Sequence, residues 1–288
     1  MKLHHGKIIL FGEYTVINNG HAMAMPLMSI RGSLKIRINH DPASNSSIRR
    51  YFEYLKETPL PHGVGLDLQR LEEDIRKGLY LDTNAREGYG VGSSGILTTA
   101  LFTRYYHPKK QLSLHQLKEV LSTMESYFHD RSSGLDPLIA FINYPLRVSP
   151  DSISIVENLP MDIIARFWLL DTGISRKTQS LVRWYKNRCQ ETDFMEAMEE
   201  YSAAIPSIID DFLLGDRKSF EERLRELSAF QLKWWKKLVP EHLVGLWKEG
   251  LKSGEYYTKI CGAGGGGYIL LYQKQKLPDT AAVLIPVT

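Results

Sequence analysis

Four glycines in a row, Gly264 to Gly267, sit between two apolar stretches near the end of a 288-residue chain. Each Gly that is ordered on folding costs roughly 0.5–1 kcal/mol relative to Ala. A compact domain keeps that cost where something must approach the backbone closely. The run closes the segment Lys259-Ile-Cys261-Gly262-Ala263-Gly264-Gly265-Gly266-Gly267-Tyr268. With apolar flanks on both sides, it reads as a loop between two strands and not as a flexible linker.

A second such segment, Gly88-Tyr89-Gly90-Val91-Gly92-Ser93-Ser94-Gly95, runs straight into the apolar, helix-like stretch Ile96 to Tyr105. Glycines let successive backbone N–H groups turn toward one point, and a helix start adds partial positive charge there. The hydroxyls of Ser93 and Ser94 add donors for a phosphate or a ligand for Mg²⁺. This is not the P-loop pattern, since no Lys follows the last Gly. A dinucleotide-binding reading fails as well, because the flanks lack βαβ alternation. The alternative is a Ser/Gly helix cap with no ligand.

Two more segments carry ionisable groups. Lys7-Ile-Ile-Leu-Phe-Gly12-Glu13-Tyr14 reads as a strand that starts at Lys7 and ends in a turn bearing Glu13. A plain hairpin with a surface Glu is the alternative. Further on, Glu125 falls in the last turns of an amphipathic helix, and Asp136 follows the turn Ser132-Ser133-Gly134. Carboxylates arriving from a helix end and from a turn can face one cavity. One would hold Mg²⁺ and the other would take a proton from an alcohol. Taken singly, either could be a solvated surface acid.

The rest of the chain bounds the class. With 43% hydrophobic and 24% charged residues, it is an ordinary globular sequence. A formal charge of +3 argues weakly for an anionic ligand and against nucleic acid, which calls for a concentrated basic face. Cys189 and Cys261 have neither metal-site spacing nor the density of a disulfide framework. No long charge-free apolar segment follows the amino terminus, so a cytoplasmic location is expected.

Strands are expected at Ile8–Phe11, Ser33–Ile38, Leu138–Tyr144, Ala165–Leu170, Tyr268–Tyr272 and Ala281–Val287. Leu66, Leu71, Ile75 and Leu79 suggest one amphipathic helix. Ser113 caps another that carries Leu114, Leu117, Val120, Leu121, Met124 and Phe128 on one side, and 176–252 reads as successive helices. Residues 149–162, with Pro150 and Pro160, read as the domain connection. The expectation is an α+β fold in two lobes, 1–160 and 161–288.

Taken in order, these four segments resemble the signature motifs of the GHMP kinase superfamily, most nearly those of its mevalonate kinases. His129-x-x-Ser132-Ser133-Gly134-Leu135-Asp136 is similar to the mevalonate kinase stretch His-Gly-x-Pro-Ser-Gly-x-Asp. Glu125 sits at the spacing of their metal-binding Glu. Asp171-Thr172-Gly173 with Arg176-Lys177-Thr178 looks like the segment opening their second domain.

The resemblance implies a ribosomal-protein-S5-like α/β lobe, a ferredoxin-like α+β lobe, and a cleft between them. It also implies ATP and Mg²⁺, a small alcohol as acceptor, and a homodimer. Asp136 would be the base and Lys7 its partner, with Ser94 and Glu125 on Mg²⁺. Gly90, Gly92, Ser93, Ser94 and Gly95 would cradle the phosphates. Glu13, Tyr14, Thr178, Gly262, Ala263 and Gly264 would line the substrate side, while Arg131, Arg176 and His21 are candidates for reading a substrate carboxylate.

The chain departs from the pattern in places. Tyr14 stands where mevalonate kinases usually carry His, Ser-Ser-Gly replaces the commoner Ser-Ser-Ala, and Asp130 and Ser132 stand for Gly and Pro. Mevalonate is the expected acceptor. Phosphomevalonate, homoserine, a sugar, a diphosphomevalonate decarboxylase and a silent ligand sensor are the alternatives.

Overall fold

The computed structural model describes residues 2–18, 20–37, 46–107, 111–128, 132–176, 178–280 and 283–287, apart from the side chains of Ser46, Thr178 and Gln179. In chain order the elements are β1 (His4–Phe11), β2 (Ala22–Ile36), α1 (Ser46–Glu57), β3 (Gly65–Leu66), α2 (Leu68–Arg76), β4 (Leu79–Thr83), α3 (Ser93–Tyr105) and β5 (Tyr106–His107). They continue with α4 (Leu114–Glu125), α5 (Leu135–Ile142), β6 (Leu146–Val148), β7 (Ile153–Ile155), α6 (Met161–Ile164), β8 (Phe167–Asp171), α7 (Thr178–Arg188) and α8 (Thr192–Leu214). The last are α9 (Arg217–Trp234), α10 (Val244–Ser253), β9 (Tyr256–Ile260), β10 (Tyr268–Gln273) and β11 (Leu284–Pro286). The fold is α+β. Among the described residues no helix is long and apolar enough to cross a membrane, and neither cysteine is in a disulfide.

The chain divides into two compact units. Unit 1 holds Met1–Lys7, Pro26–Ala85 and Val91–Tyr144, and unit 2 holds Ile8–Met25, Arg86–Gly90 and Pro145–Thr288. Unit 1 is helical around α3. That helix buries Ile96, Thr98, Thr99, Ala100, Leu101, Phe102 and Tyr105, so it has no polar face to turn outward. The hydroxyls of Thr98 and Thr99 are matched: Tyr51 Oη and Thr98 Oγ1 lie 3.1 Å apart, and Thr99 donates to the Pro137 carbonyl at 2.7 Å. The far half of β2 pairs with β4 from Gly32↔Thr83 to Ile36↔Leu79.

Several sequence expectations hold in unit 1. α4 starts where Ser113 caps it, with a full capping box to Gln116, and it buries Leu117, Val120, Leu121 and Met124, whereas Leu114 is half-buried and Phe128 lies beyond the helix end. α2 is capped by Asp67 and buries Leu71 and Ile75, while Leu66 and Leu79 fall in the flanking strands. Ile38 lies outside the described residues.

One element is corrected. Leu138–Tyr144, expected as a strand, belongs to α5, which runs from Leu135 to Ile142 and stops where Asn143 turns left-handed at φ 58°. An apolar run this short, with Leu138 to Ala140 buried and Phe141 and Ile142 half-buried, carries no clear period to separate helix from strand. In the structure a left-handed Gly134 stands at the head of the helix.

Unit 2 is a four-stranded antiparallel sheet, ordered β11-β8-β10-β9, with α8 and α9 packed together. β8 and β10 match from Tyr268↔Asp171 to Tyr272↔Phe167. Helices fill 178–253 as expected, and β7 occupies the stretch expected to be only a connection. β11 covers Leu284–Pro286, whereas Ala281 and Ala282 lie outside the described residues. The core centres on Phe11, Phe167, Phe212, Phe220 and Tyr272, whose rings meet edge to face at 5.1–6.2 Å.

His4 gives unit 1 a pH dependence. It is buried, its Nδ1 lies 3.3 Å from the Ala140 carbonyl, and burial lowers its pKa to about 4. The unfolded residue titrates near 6.5, so between those values the unfolded chain holds more protons and stability falls as pH drops. The expected slope in unfolding free energy is up to ~1.4 kcal/mol per pH unit in that window. Denaturant titrations at pH 7, 6 and 5 measure it, and His4→Gln should remove this part.

Candidate active site

Three elements of unit 1 bring the predicted ionisable residues together. Lys7 lies on β1, and its N–H donates to the Val91 carbonyl at 3.0 Å, which holds the strand against the loop that leads into α3. Its side chain is 6% exposed, and Nζ sits 3.1 Å from Asp136 Oδ1. Asp136 is in the first turn of α5, where the partial positive charge of a helix start favours a carboxylate. At 27% exposed, its side chain can still be reached from solvent.

Glycine makes the approach possible. A Cβ on Gly95 would lie 2.9 Å from the Asp136 carbonyl carbon and 2.9 Å from Pro137 N, closer than such atoms can pack. The starts of α3 and α5 therefore touch through a residue with no side chain. Gly92, at φ 79°, caps α3. A Cβ there would stand 3.3 Å from Lys7 Cγ and 3.6 Å from Asp136 Oδ2. Ser93 and Ser94 follow as the first residues of α3, where backbone N–H groups have no acceptor within the helix.

Glu125 ends α4 and is 2% exposed. Ser94 Oγ donates to its Oε1 at 2.9 Å, and Ser132 Oγ donates to its Oε2. Burial, and then the negative charge of Asp136, raise the Glu125 carboxyl to about 8. Hydrogen bonds from the two serines and the charge of Lys7 work against that rise. A divalent cation would relieve the same strain. The converging donors are all oxygen, as Mg²⁺ prefers. Among the described residues no group of three or more His, Cys, Asp or Glu side chains could hold a metal. A cation at Ser94 and Glu125 would therefore complete its shell with phosphate and water oxygens, as Mg²⁺ commonly does.

The other expected residues lie in unit 2, and their surroundings differ from expectation. Gly90, expected at the phosphates, is covered by Arg176: a Cβ there would stand 1.9 Å from Arg176 Nη2. Arg176 Nη1 donates to the carbonyls of Cys261 and Gly264, both at 2.8 Å. It thus acts as a fastener of the Gly262-Ala263-Gly264 loop, in place of a residue held out for a substrate carboxylate.

Glu13 and Tyr14 are likewise inside. Glu13 is fully buried, ion-paired with Lys259 and hydrogen-bonded by Tyr201 at 3.5 Å. Tyr14 is 3% exposed at φ 66°, stacks on Tyr185 at 4.3 Å and donates to the Ala263 carbonyl at 2.9 Å. Tyr14 thereby holds the glycine loop at Ala263, while Glu13 is held within the interior by Lys259 and Tyr201. Among the described residues, His21 Nδ1 is buried with no hydrogen-bond partner. Thr178 opens α7, but its side chain, with His129, Asp130, Arg131 and Lys177, lies outside the described residues.

Ser132 and Arg176 are the functional candidates that motif reading placed wrongly or passed over. For Ser132 the only signal was a hydroxyl where the resembled motif carries Pro. Nothing local marked Arg176 as a clasp of the glycine loop, since the carbonyls it binds lie 85 and 88 residues away.

No protein-family model matches the chain. A mevalonate kinase of Archaeoglobus fulgidus is 22% identical over 98% of this chain and 95% of its own length. The crystal structure of the L. major mevalonate kinase in complex with R-mevalonate superposes with a TM-score of 0.64 at 16% identity, over 95% of this chain and 87% of that one. The Streptococcus pneumoniae phosphomevalonate kinase, bound to phosphomevalonate and AMPPNP, gives 0.65 at 14% identity, over 96% and 92%. The chain has the GHMP kinase fold.

The buried pair in unit 2 is open to a direct test. Lys259→Met removes the lysine that pairs with buried Glu13, an expected loss of ~3–5 kcal/mol. The double variant Glu13→Gln/Lys259→Met should recover most of that. Urea midpoints of the three proteins measure the effect, and an unchanged midpoint for Lys259→Met would remove the pair from any supporting role.

Proposed function

We propose that this chain, a GHMP-type small-molecule kinase by fold and by whole-length similarity, transfers the terminal phosphoryl group of ATP to the hydroxyl of mevalonate. The observation that carries the reading is the meeting, within unit 1, of Lys7, Ser94, Glu125 and Asp136 at the starts of two touching helices.

Phosphoryl transfer asks a protein for positioning and charge neutralisation more than for covalent chemistry. The N–H groups of Gly92, Ser93, Ser94 and Gly95 and the positive end of α3 suit the phosphates. Mg²⁺, held by Ser94 and Glu125, would supply the neutralisation of phosphate charge. Lys7 pairs with Asp136 and lends positive charge to the group in flight. Asp136 takes the hydroxyl proton. An alcohol gives up its proton to a carboxylate as its own oxygen bonds to phosphorus, so the proton moves late.

Phosphomevalonate is the second reading, favoured by one residue: Tyr14 stands where mevalonate kinases usually carry His. An ADP-release screen with mevalonate, phosphomevalonate, homoserine and galactose decides between acceptors, and release of carbon dioxide would mark a decarboxylase instead. With the preferred acceptor, Asp136→Asn is expected to lower kcat at least ~100-fold while nucleotide affinity changes little. Near-normal turnover by that variant would take the base role away from Asp136.

A further inference from the structure

A buried carboxylate needs its oxygens matched by donors. For Glu125, Ser94 serves Oε1 and Ser132 serves Oε2. Ser132 Oγ also accepts the backbone N–H of Gly134 at 2.9 Å. A hydroxyl has a single proton. With Gly134 occupying the acceptor side of Ser132, that proton is aimed at Glu125.

Ser132 is itself held on both sides. Its carbonyl accepts from the Ser122 hydroxyl at 2.7 Å, and its N–H donates to Ser126 Oγ at 3.3 Å. Ser122 lies in the last turn of α4 and Ser126 is its C-cap. The turn is thereby fastened to the helix that ends in Glu125. Gly134 is the N-cap of α5, two residues ahead of Asp136. One hydroxyl thus links the carboxylate at the end of α4 to the start of the helix that carries the base. The mevalonate kinase motif that this stretch resembles has Pro here, with no side-chain donor to make such a link.

We propose that Ser132 is a positioning residue for the divalent cation, holding Glu125 with Oε1 turned to Ser94 and tying that orientation to Gly134 and so to Asp136. The inference rests on the cation role given above to Ser94 and Glu125. Outer hydrogen bonds to a metal-binding carboxylate typically contribute 10–100-fold in affinity.

Mn²⁺ binding, followed by electron paramagnetic resonance in the presence of a non-hydrolysable ATP analogue, tests it without turnover. Ser132→Ala should weaken Mn²⁺ at least ~10-fold, and Ser132→Thr should bind as the parent does. Ser132→Cys, which keeps the volume with a weak S–H donor, is measured beside them and should fall between. Glu125→Gln should weaken Mn²⁺ at least as much as Ser132→Ala. If Glu125→Gln weakens binding while folded Ser132→Ala or Ser132→Cys binds like the parent, the role of Ser132 is overturned and that of Glu125 stands. If Glu125→Gln leaves Mn²⁺ binding unchanged, the cation site falls, and this inference with it.

Discussion

The close contact between α3 and α5 at Gly95 is the constraint on which the site depends. Two helix starts meet there with no side chain between them, since a Cβ would collide with the backbone of Asp136 and Pro137. That contact sets Asp136 beside the hydroxyl-bearing first turn of α3. It also lets β1 bring Lys7 to both. The Ser-Ser-Gly sequence, a departure from the commoner Ser-Ser-Ala, is thus the form this chain's spacing requires. Thr99, which donates to the Pro137 carbonyl one turn further along α3, fastens the same pair of helices.

Electrostatics then explain why the cluster suits a charged ligand. Two carboxylates face one buried lysine, and the deeper carboxylate is driven toward its neutral form by burial and by its neighbour. Such an arrangement is poorly balanced when empty, because buried charge is costly unless it is paired. Sites of this kind, with a strongly shifted acid beside a specific charge partner, are where chemistry is usually found. In unit 2 the logic is the reverse. Glu13 and Lys259 satisfy one another, Tyr201 and Gln231 extend the network, and Arg176 clasps the carbonyls of the glycine loop. Those groups are balanced, and they hold a backbone in place.

The sequence was most readable where local chemistry leaves little choice. The glycine before α3, the Ser113 cap and the place of Glu125 in the last turn of its helix were read correctly, because each depends on a few neighbouring residues. α5 was misread because eight largely apolar residues are too few to reveal a helical period. Glu13 was misread for another reason: its partner is 246 residues away, and a Gly-Glu turn looks the same whether its carboxylate meets solvent or a lysine. Gly90 and Gly92 belong to one motif by sequence, yet Gly90 packs under Arg176 and Gly92 beside Lys7. Which glycine serves a ligand and which serves the fold depends on contacts that only the folded chain supplies.

The central claim is that a nucleotide's terminal phosphate comes to rest where α3 and α5 begin. A crystal structure with Mg²⁺ and a non-hydrolysable ATP analogue tests it most directly. The account predicts a cation bound by Ser94 Oγ and a Glu125 oxygen at about 2.1 Å, the γ-phosphate within hydrogen-bonding reach of Lys7, and the Asp136 carboxylate turned toward the acceptor side. A nucleotide whose phosphates lie away from the Gly92-Ser93-Ser94 turn, or a cation that ignores Glu125, would contradict it.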